Sequence, residues 1–248
     1  MSQASLRAPI RLSALLAVGC AVELDKQALM ALRFREINTK EAFTVLDGKG
    51  NYFRAALTSS EPGAGRAQIY EAMSSSPESP LHLTLLCSVL ARQRMLGVIQ
   101  KATELGVMAV VPVLSERSVQ KAGLAHEKAH AWPAQALRAA RQCRRASIPE
   151  IHSAVSLEEA LRADYFQQSD RRYYLDDRAP LGSVLSRVDQ ASERVAFVVG
   201  PEGGFTDSER ELLIGHRAQP LRLGARVLRA ETSALVGVAL LQHHFGDL

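Results

Sequence analysis

Residues 81–113 read LHLTLLCSVLARQRMLGVIQKATELGVMAVVPV. Leu83–Leu90 is an apolar run of strand length. Met95, Val98, Ile99, Ala102 and Leu105 then recur at helical spacing, and Gly106 stands at a position that suits a helix C-terminus. Val107–Val113 is a second apolar run. Strand, helix, strand in this order predicts a βαβ unit and a parallel sheet, hence an α/β fold.

Downstream, the pattern predicts a long helix over Ala134–Arg145 and short strands at Arg172–Leu175, Val195–Val199 and Leu221–Leu223. Thr206-Asp-Ser-Glu209 has the spacing of a capping box, so a helix starts at Asp207. Glu231–Phe245 reads as a further helix. Upstream, Met73–Pro80 (MSSSPESP) carries no apolar periodicity and marks a linker. Before it, Phe43–Leu46 and Tyr52–Leu57 flank a turn at Asp47-Gly48-Lys49-Gly50-Asn51, which predicts a hairpin. Leu24–Arg35 has helical spacing. The expectation is two domains: a small β-rich barrel or sandwich at 1–74 and a larger α/β domain at 80–248.

The 248 residues are 47% hydrophobic and 23% charged. That excludes a disordered chain and a fibrous rod. No stretch approaches the ~20 apolar residues of a membrane helix. Residues 81–160 hold 10 basic and 6 acidic side chains, so the whole net charge of +4 sits in the middle third. A localised basic excess points toward nucleic acid. Cys20, Cys87 and Cys143 are far apart and odd in number, which argues for reduced thiols and a cytoplasmic protein. Arg7 and Arg11 before Leu12–Val18 and Gly19-Cys20 have the outline of a lipoprotein leader, but the apolar run is short and broken by Ser13.

Three segments carry chemistry. Val199-Gly200-Pro201-Glu202-Gly203-Gly204-Phe205 leaves an apolar strand and enters a capped helix. Its glycines allow close backbone approach to a ligand at the carboxyl end of a strand. It is not a phosphate loop: the Gly-x-x-x-x-Gly-Lys-Ser/Thr pattern is missing and Glu202 would repel an anion. Leu223-Gly224-Ala225-Arg226-Val227-Leu228-Arg229-Ala230-Glu231-Thr232-Ser233-Ala234 also leaves a strand and enters a helix, whose first amides are free donors. Gln100-Lys101-Ala102-Thr103-Glu104-Leu105-Gly106 is by itself an ordinary amphipathic helix.

Together with Glu116-Arg117-Ser118 and the end Phe245-Gly-Asp-Leu248, these segments resemble one family. It is the SPOUT methyltransferases that modify N3 of a uridine in 16S ribosomal RNA of the small ribosomal subunit, the small-subunit methyltransferase E family. The resemblance covers essentially the whole chain and is strongest from residue 81 onward. It departs at Arg141 and Arg144, where an acid and a glycine are common, at Leu96, where Glu is common, and at Ser233.

The resemblance implies a SPOUT-type α/β domain with a C-terminal trefoil knot, preceded by a PUA-like β-barrel that binds RNA. It implies S-adenosylmethionine as cofactor and a homodimer. Carried over by motif, the cofactor-binding residues are Val199, Gly200, Pro201, Gly203, Gly204, Leu223, Gly224, Val227, Leu228 and Thr232, with Leu175 as a third strand end. The alternatives are a SPOUT enzyme acting on another RNA and a non-catalytic RNA-binding protein of the same fold. The Leu-Gly-x-Arg-Val-Leu-Arg block argues against the first and the intact cofactor segments against the second.

For methyl transfer to uracil N3, loss of the N3 proton leaves negative charge on the uracil oxygens, which an arginine would stabilise. Arg229 is the first candidate and Arg226 the second, with Glu231 to accept the proton or orient an arginine. Arg138, Arg141 and Arg145 would share one face of the helix over 134–145. With Arg144, Arg92, Arg94 and Arg117 they are the expected RNA-phosphate contacts. One motif points elsewhere: His126-Glu127-Lys128-Ala129-His130 matches a helical zinc-protease signature. Lys128, Trp132-Pro133 and the lack of a third ligand count against it, and no metal site is expected.

Overall fold

The computed structural model describes residues 2–61, 63–180 and 194–248. The chain divides into two compact units. Among the described residues, no helix is long and apolar enough to cross a membrane.

The first unit comprises Met1–Glu78 together with Ala140–Ile148. Its elements are α1 (Gln3–Arg7), β1 (Ile10–Arg11), β2 (Ala21–Leu24), α2 (Lys26–Phe34), β3 (Ala42–Leu46), β4 (Tyr52–Glu61) and β5 (Ala64–Ala72). The strands form one sheet in the order β1-β3-β4-β5-β2, antiparallel except for β1 beside β3. The β3–β4 turn forms because Asp47 Oδ1 accepts from the amides of Lys49 and Asn51, at 2.9 and 2.8 Å. Asp25 ends β2 and caps α2, accepting from the Ala28 amide at 2.7 Å. Leu29 and Leu32 of α2 are buried with Phe43, Val45, Leu57 and Ile69 of the sheet.

The second unit opens with β6 (His82–Ser88), α3 (Arg92–Glu104) and β7 (Ala109–Leu114), the βαβ unit read from the sequence. Next comes α4 (Trp132–Gln142), whose last residues fall in the first unit. It is followed by β8 (Glu150–Ile151), β9 (Val155–Ser156), α5 (Leu157–Arg162) and α6 (Asp164–Gln167). The chain then forms β10 (Arg171–Leu175), β11 (Arg194–Val199), α7 (Asp207–Gly215), β12 (Gln219–Leu221) and α8 (Ala230–Phe245). Every pairing is parallel, in the order β12-β10-β11-β6-β7-β8, with β9 also beside β7. All strand carboxyl ends therefore lie along one edge of the sheet. Met95, Val98, Ile99 and Ala102 of α3 are buried with Ala234, Val238 and Leu241 of α8. Gly237 lets α8 approach β11 closely: a Cβ there would sit 2.2 Å from the Phe197 ring.

Five expectations need correction. The helix expected over Ala134–Arg145 ends at Gln142. There Arg144 takes φ +63° and the Arg145 amide donates to Ala140 O at 3.0 Å, the closing bond of a Schellman motif. Arg145 is thus off the helix and does not share a face with Arg138 and Arg141. Trp132-Pro133 opens α4 rather than breaking a helix, since proline is tolerated in a first turn. Residues 126–130 are not an α-helix: Lys128 is left-handed at φ +53°, so His126 and His130 lack the helical spacing that the zinc signature requires. The strand placed at Leu221–Leu223 is Gln219–Leu221. The first unit also extends to Glu78 and takes in residues 140–148, which the linker reading assigns to the second domain.

Candidate active site

The sheet order explains how distant segments meet. β10 lies between β11 and β12, with Tyr174 beside Val198 and Leu175 beside Leu221. The loops leaving β11 and β12 therefore flank the end of β10, and Leu175 is brought beside the two glycine segments.

The loop after β11 is built for close packing. Val199 and Pro201 are buried, and the Gly204 amide turns back to Pro201 O at 2.9 Å with φ +66°. A Cβ on Gly200 would press the Phe205 ring at 3.1 Å, and one on Gly203 would press Arg117 Cδ at 3.1 Å. Arg117 Nη1 donates to Gly203 O at 2.7 Å, so this arginine holds the loop. Glu209 of α7 ties the same region together. Its Oε2 accepts from the Thr206 amide at 2.9 Å, completing the capping box, and its Oε1 accepts from the Glu116 amide at 2.8 Å. The turn 115–118 is also held from within: Ser115 Oγ donates to Ser88 Oγ at 2.9 Å in a fully buried pair.

The segment after β12 is open. Gly224 has φ +103°, Arg222 Nε donates to its carbonyl at 3.1 Å, and Val227 is 86% exposed. Leu223 and Leu228 are half-buried, while Arg226, Arg229 and Thr232 are exposed. Arg229 is the N-cap residue of α8 and its side chain makes no capping bond. Glu231, in the first turn, has a buried Oε2 without a hydrogen-bond partner among the described residues. An unpaired buried carboxylate oxygen is costly and marks a place where a donor is wanted.

Sequence reasoning missed three groups. Asp176, just past β10, is held by Arg210 Nε at 3.4 Å, and Arg210 Nη1 also donates to Phe205 O at 2.5 Å. Burial, and then the Asp176 carboxylate beside it, push the Tyr174 phenol above its ordinary value. The rule that ligands sit beyond strand ends could have drawn attention to Asp176. Glu209 was visible only as a helix cap. Arg94, expected among the RNA contacts, lies against Glu202 and Glu231. Of the other expected RNA contacts, Arg138 and Arg144 are exposed, Arg141 pairs with Glu41 at 3.0 Å, and Arg92 is half-buried. Arg145 is buried against Glu78, so the expectation that it meets phosphate is corrected.

The model of the RNA methyltransferase domain matches residues 77–242. A crystal structure of a Ribosomal RNA small subunit methyltransferase E from Neisseria gonorrhoeae, bound to S-adenosyl methionine, is similar at a TM-score of 0.67 and 31% identity, covering 97% of this chain and 99% of that one. The protein named Ribosomal RNA small subunit methyltransferase E in Aquifex aeolicus is 29% identical over 212 residues, 85% of this chain and 89% of the relative. Its namesake in Synechocystis sp. is 29% identical over 208 residues, 84% of this chain and 67% of the relative. With the strand-end loops and the head of α8 in this arrangement, the chain belongs to the RNA methyltransferase domain family, among the ribosomal RNA small subunit methyltransferases E.

Proposed function

We propose that this chain methylates N3 of a uridine in 16S ribosomal RNA of the small ribosomal subunit, using S-adenosylmethionine. The observation that carries the reading is the meeting of two glycine segments, 200–204 and 223–229, on either side of the β10 strand end, with Arg229 and Glu231 at the head of α8. We extend it to a cytoplasmic homodimer with a trefoil knot in the C-terminal part and a PUA-like barrel as first unit. Val236 and Leu240, 44% and 36% exposed on α8, support a partner helix there.

The residues present suit the cofactor. Gly200 is half-buried and Gly203 and Gly224 are exposed at the strand ends, where their amides can meet an adenine and ribose, and Leu175, Val227 and Leu228 add apolar surface. Bound there, S-adenosylmethionine supplies an electrophilic methyl on a positively charged sulfur. What remains for the protein is to hold the uracil at near-attack distance and to manage one proton. Arg229 is exposed, so its guanidinium can meet the uracil oxygen on which charge gathers. The Glu231 carboxylate, on a side chain 24% exposed, can take the N3 proton. Arg138, Arg141 and Arg144 serve as phosphate contacts.

The test is mass spectrometry or reverse transcription of small-subunit RNA from cells lacking the protein. Loss of one N3-methyluridine is expected; its persistence defeats the proposal. An Arg229→Ala enzyme that methylates at the normal rate removes Arg229 from the mechanism.

A further inference from the structure

We infer that Arg94 is a positioning residue for methyl transfer, acting through Glu231 rather than by holding RNA; this rests on the function proposed above. Arg94 lies in the first turn of α3, Glu202 in the loop after β11 and Glu231 in the first turn of α8. Arg94 lies over a hundred residues before both carboxylates along the chain, and the sheet brings the three segments to one edge. Arg94 Nη1 is ion-paired with Glu202, and Arg94 Nε stands 3.8 Å from Glu231 Oε1. One guanidinium is thus shared by two carboxylates.

Arginine can do this because its planar fork presents donors in several directions, where a lysine offers a single point charge. Two consequences follow. A cation already flanked by two anions has little charge left to offer a phosphate. And Arg94 stands by one oxygen of Glu231 on a side chain that is 24% exposed, while Oε2 is buried and unpartnered among the described residues. In the transfer the N3 proton passes to the Glu231 carboxylate. The electron pair left on N3 bonds the methyl carbon, and the carbon–sulfur pair stays on sulfur. Arg94 fixes the angle at which Glu231 meets that proton, and through Glu202 it pins the glycine loop.

The test is a double-mutant cycle on the full chain with Arg94→Met and Glu231→Gln, using small-subunit RNA as substrate. Glu231→Gln is expected to lower kcat about 100-fold, as loss of a general base does. Arg94→Met is expected to lower it roughly 10-fold alone and to add nothing in the Glu231→Gln background. Arg94→Lys should recover part of the rate. The slope of RNA affinity against salt should not change, and amide hydrogen exchange in residues 200–204 of the cofactor-free protein should quicken in Arg94→Met. A full kcat in Arg94→Met, additive losses, or a reduced salt slope with normal kcat would overturn the inference, the last making Arg94 a phosphate contact. A wild-type chain that transfers no methyl overturns the proposed function itself; an active wild type with a fully active Arg94→Met overturns only this role.

Discussion

Arg145 and Glu78 form a buried ion pair: Arg145 Nη2 lies 2.7 Å from Glu78 Oε2, and the two side chains are 3% and 12% exposed. The other Glu78 oxygen accepts from the amides of Ala146 and Ser147, at 2.7 and 2.9 Å. The carboxylate thus fastens the segment that follows α4 within the first unit. Removing one partner strands the other charge. Glu78→Leu should cost about 3 kcal/mol or more, whereas Glu78→Leu with Arg145→Leu should recover much of that. Urea unfolding midpoints decide it; a single substitution costing under about 0.5 kcal/mol, the range of ordinary surface changes, would contradict the buried-pair account.

Arg144 offers two effects of opposite sign. It is a non-glycine residue at φ +63°, a conformation that costs an L-residue ~1 kcal/mol. Arg144→Gly should therefore raise stability by about 0.5–1 kcal/mol by relieving that strain. The same change removes an exposed cation. RNA affinity should fall, and its salt slope should drop by about one phosphate contact. Thermal unfolding and a salt titration of RNA binding check the two halves separately.

Glu209 joins a helix cap to a neighbouring turn. Glu209→Ala loses the capping box of α7 and leaves the Glu116 amide without its acceptor. A stability loss of about 2 kcal/mol is expected. Glu209→Gln, which keeps one acceptor oxygen, should lose less. Equal stability of Glu209→Ala and the wild type in denaturant titrations would refute the bridge.

The thiols should separate by reactivity. Burial pushes the Cys87 thiol up to about 12. It therefore stays protonated as pH rises through 8 and 9, and it is out of reach of reagents. Cys20 and Cys143 are half-buried. Alkylation of the native protein at pH 8, followed by peptide mass spectrometry, should label Cys20 and Cys143 well before Cys87; prompt labelling of Cys87 would show that β6 opens readily.

Much of the fold can be read along the chain. The period of Met95, Val98, Ile99 and Ala102 gives α3, and the apolar runs on either side give β6 and β7, because these elements form from local spacing. Thr206 and Glu209 mark the start of α7 for the same reason. The glycine segments 200–204 and 223–229 were visible as places where backbone is left open. Where local patterns mislead, a local competitor wins. The Schellman closure at Ala140–Arg145 stops α4 early, and the left-handed Lys128 keeps residues 126–130 out of a helix.

By itself, then, the sequence determined the parallel α/β class, the two glycine segments and the concentration of basic residues in the middle third. Which charges are spent inside the protein was decided only by tertiary structure. Arg145 and Arg94 read along the chain like Arg138, as cations for RNA. Folding puts Arg145 against Glu78 and Arg94 between Glu202 and Glu231. Spacing along the chain sets which residues share a helix face, but strand order sets which carboxylate meets which guanidinium. For Arg94 that order brings together residues more than a hundred positions apart, a distance over which no local pattern carries information.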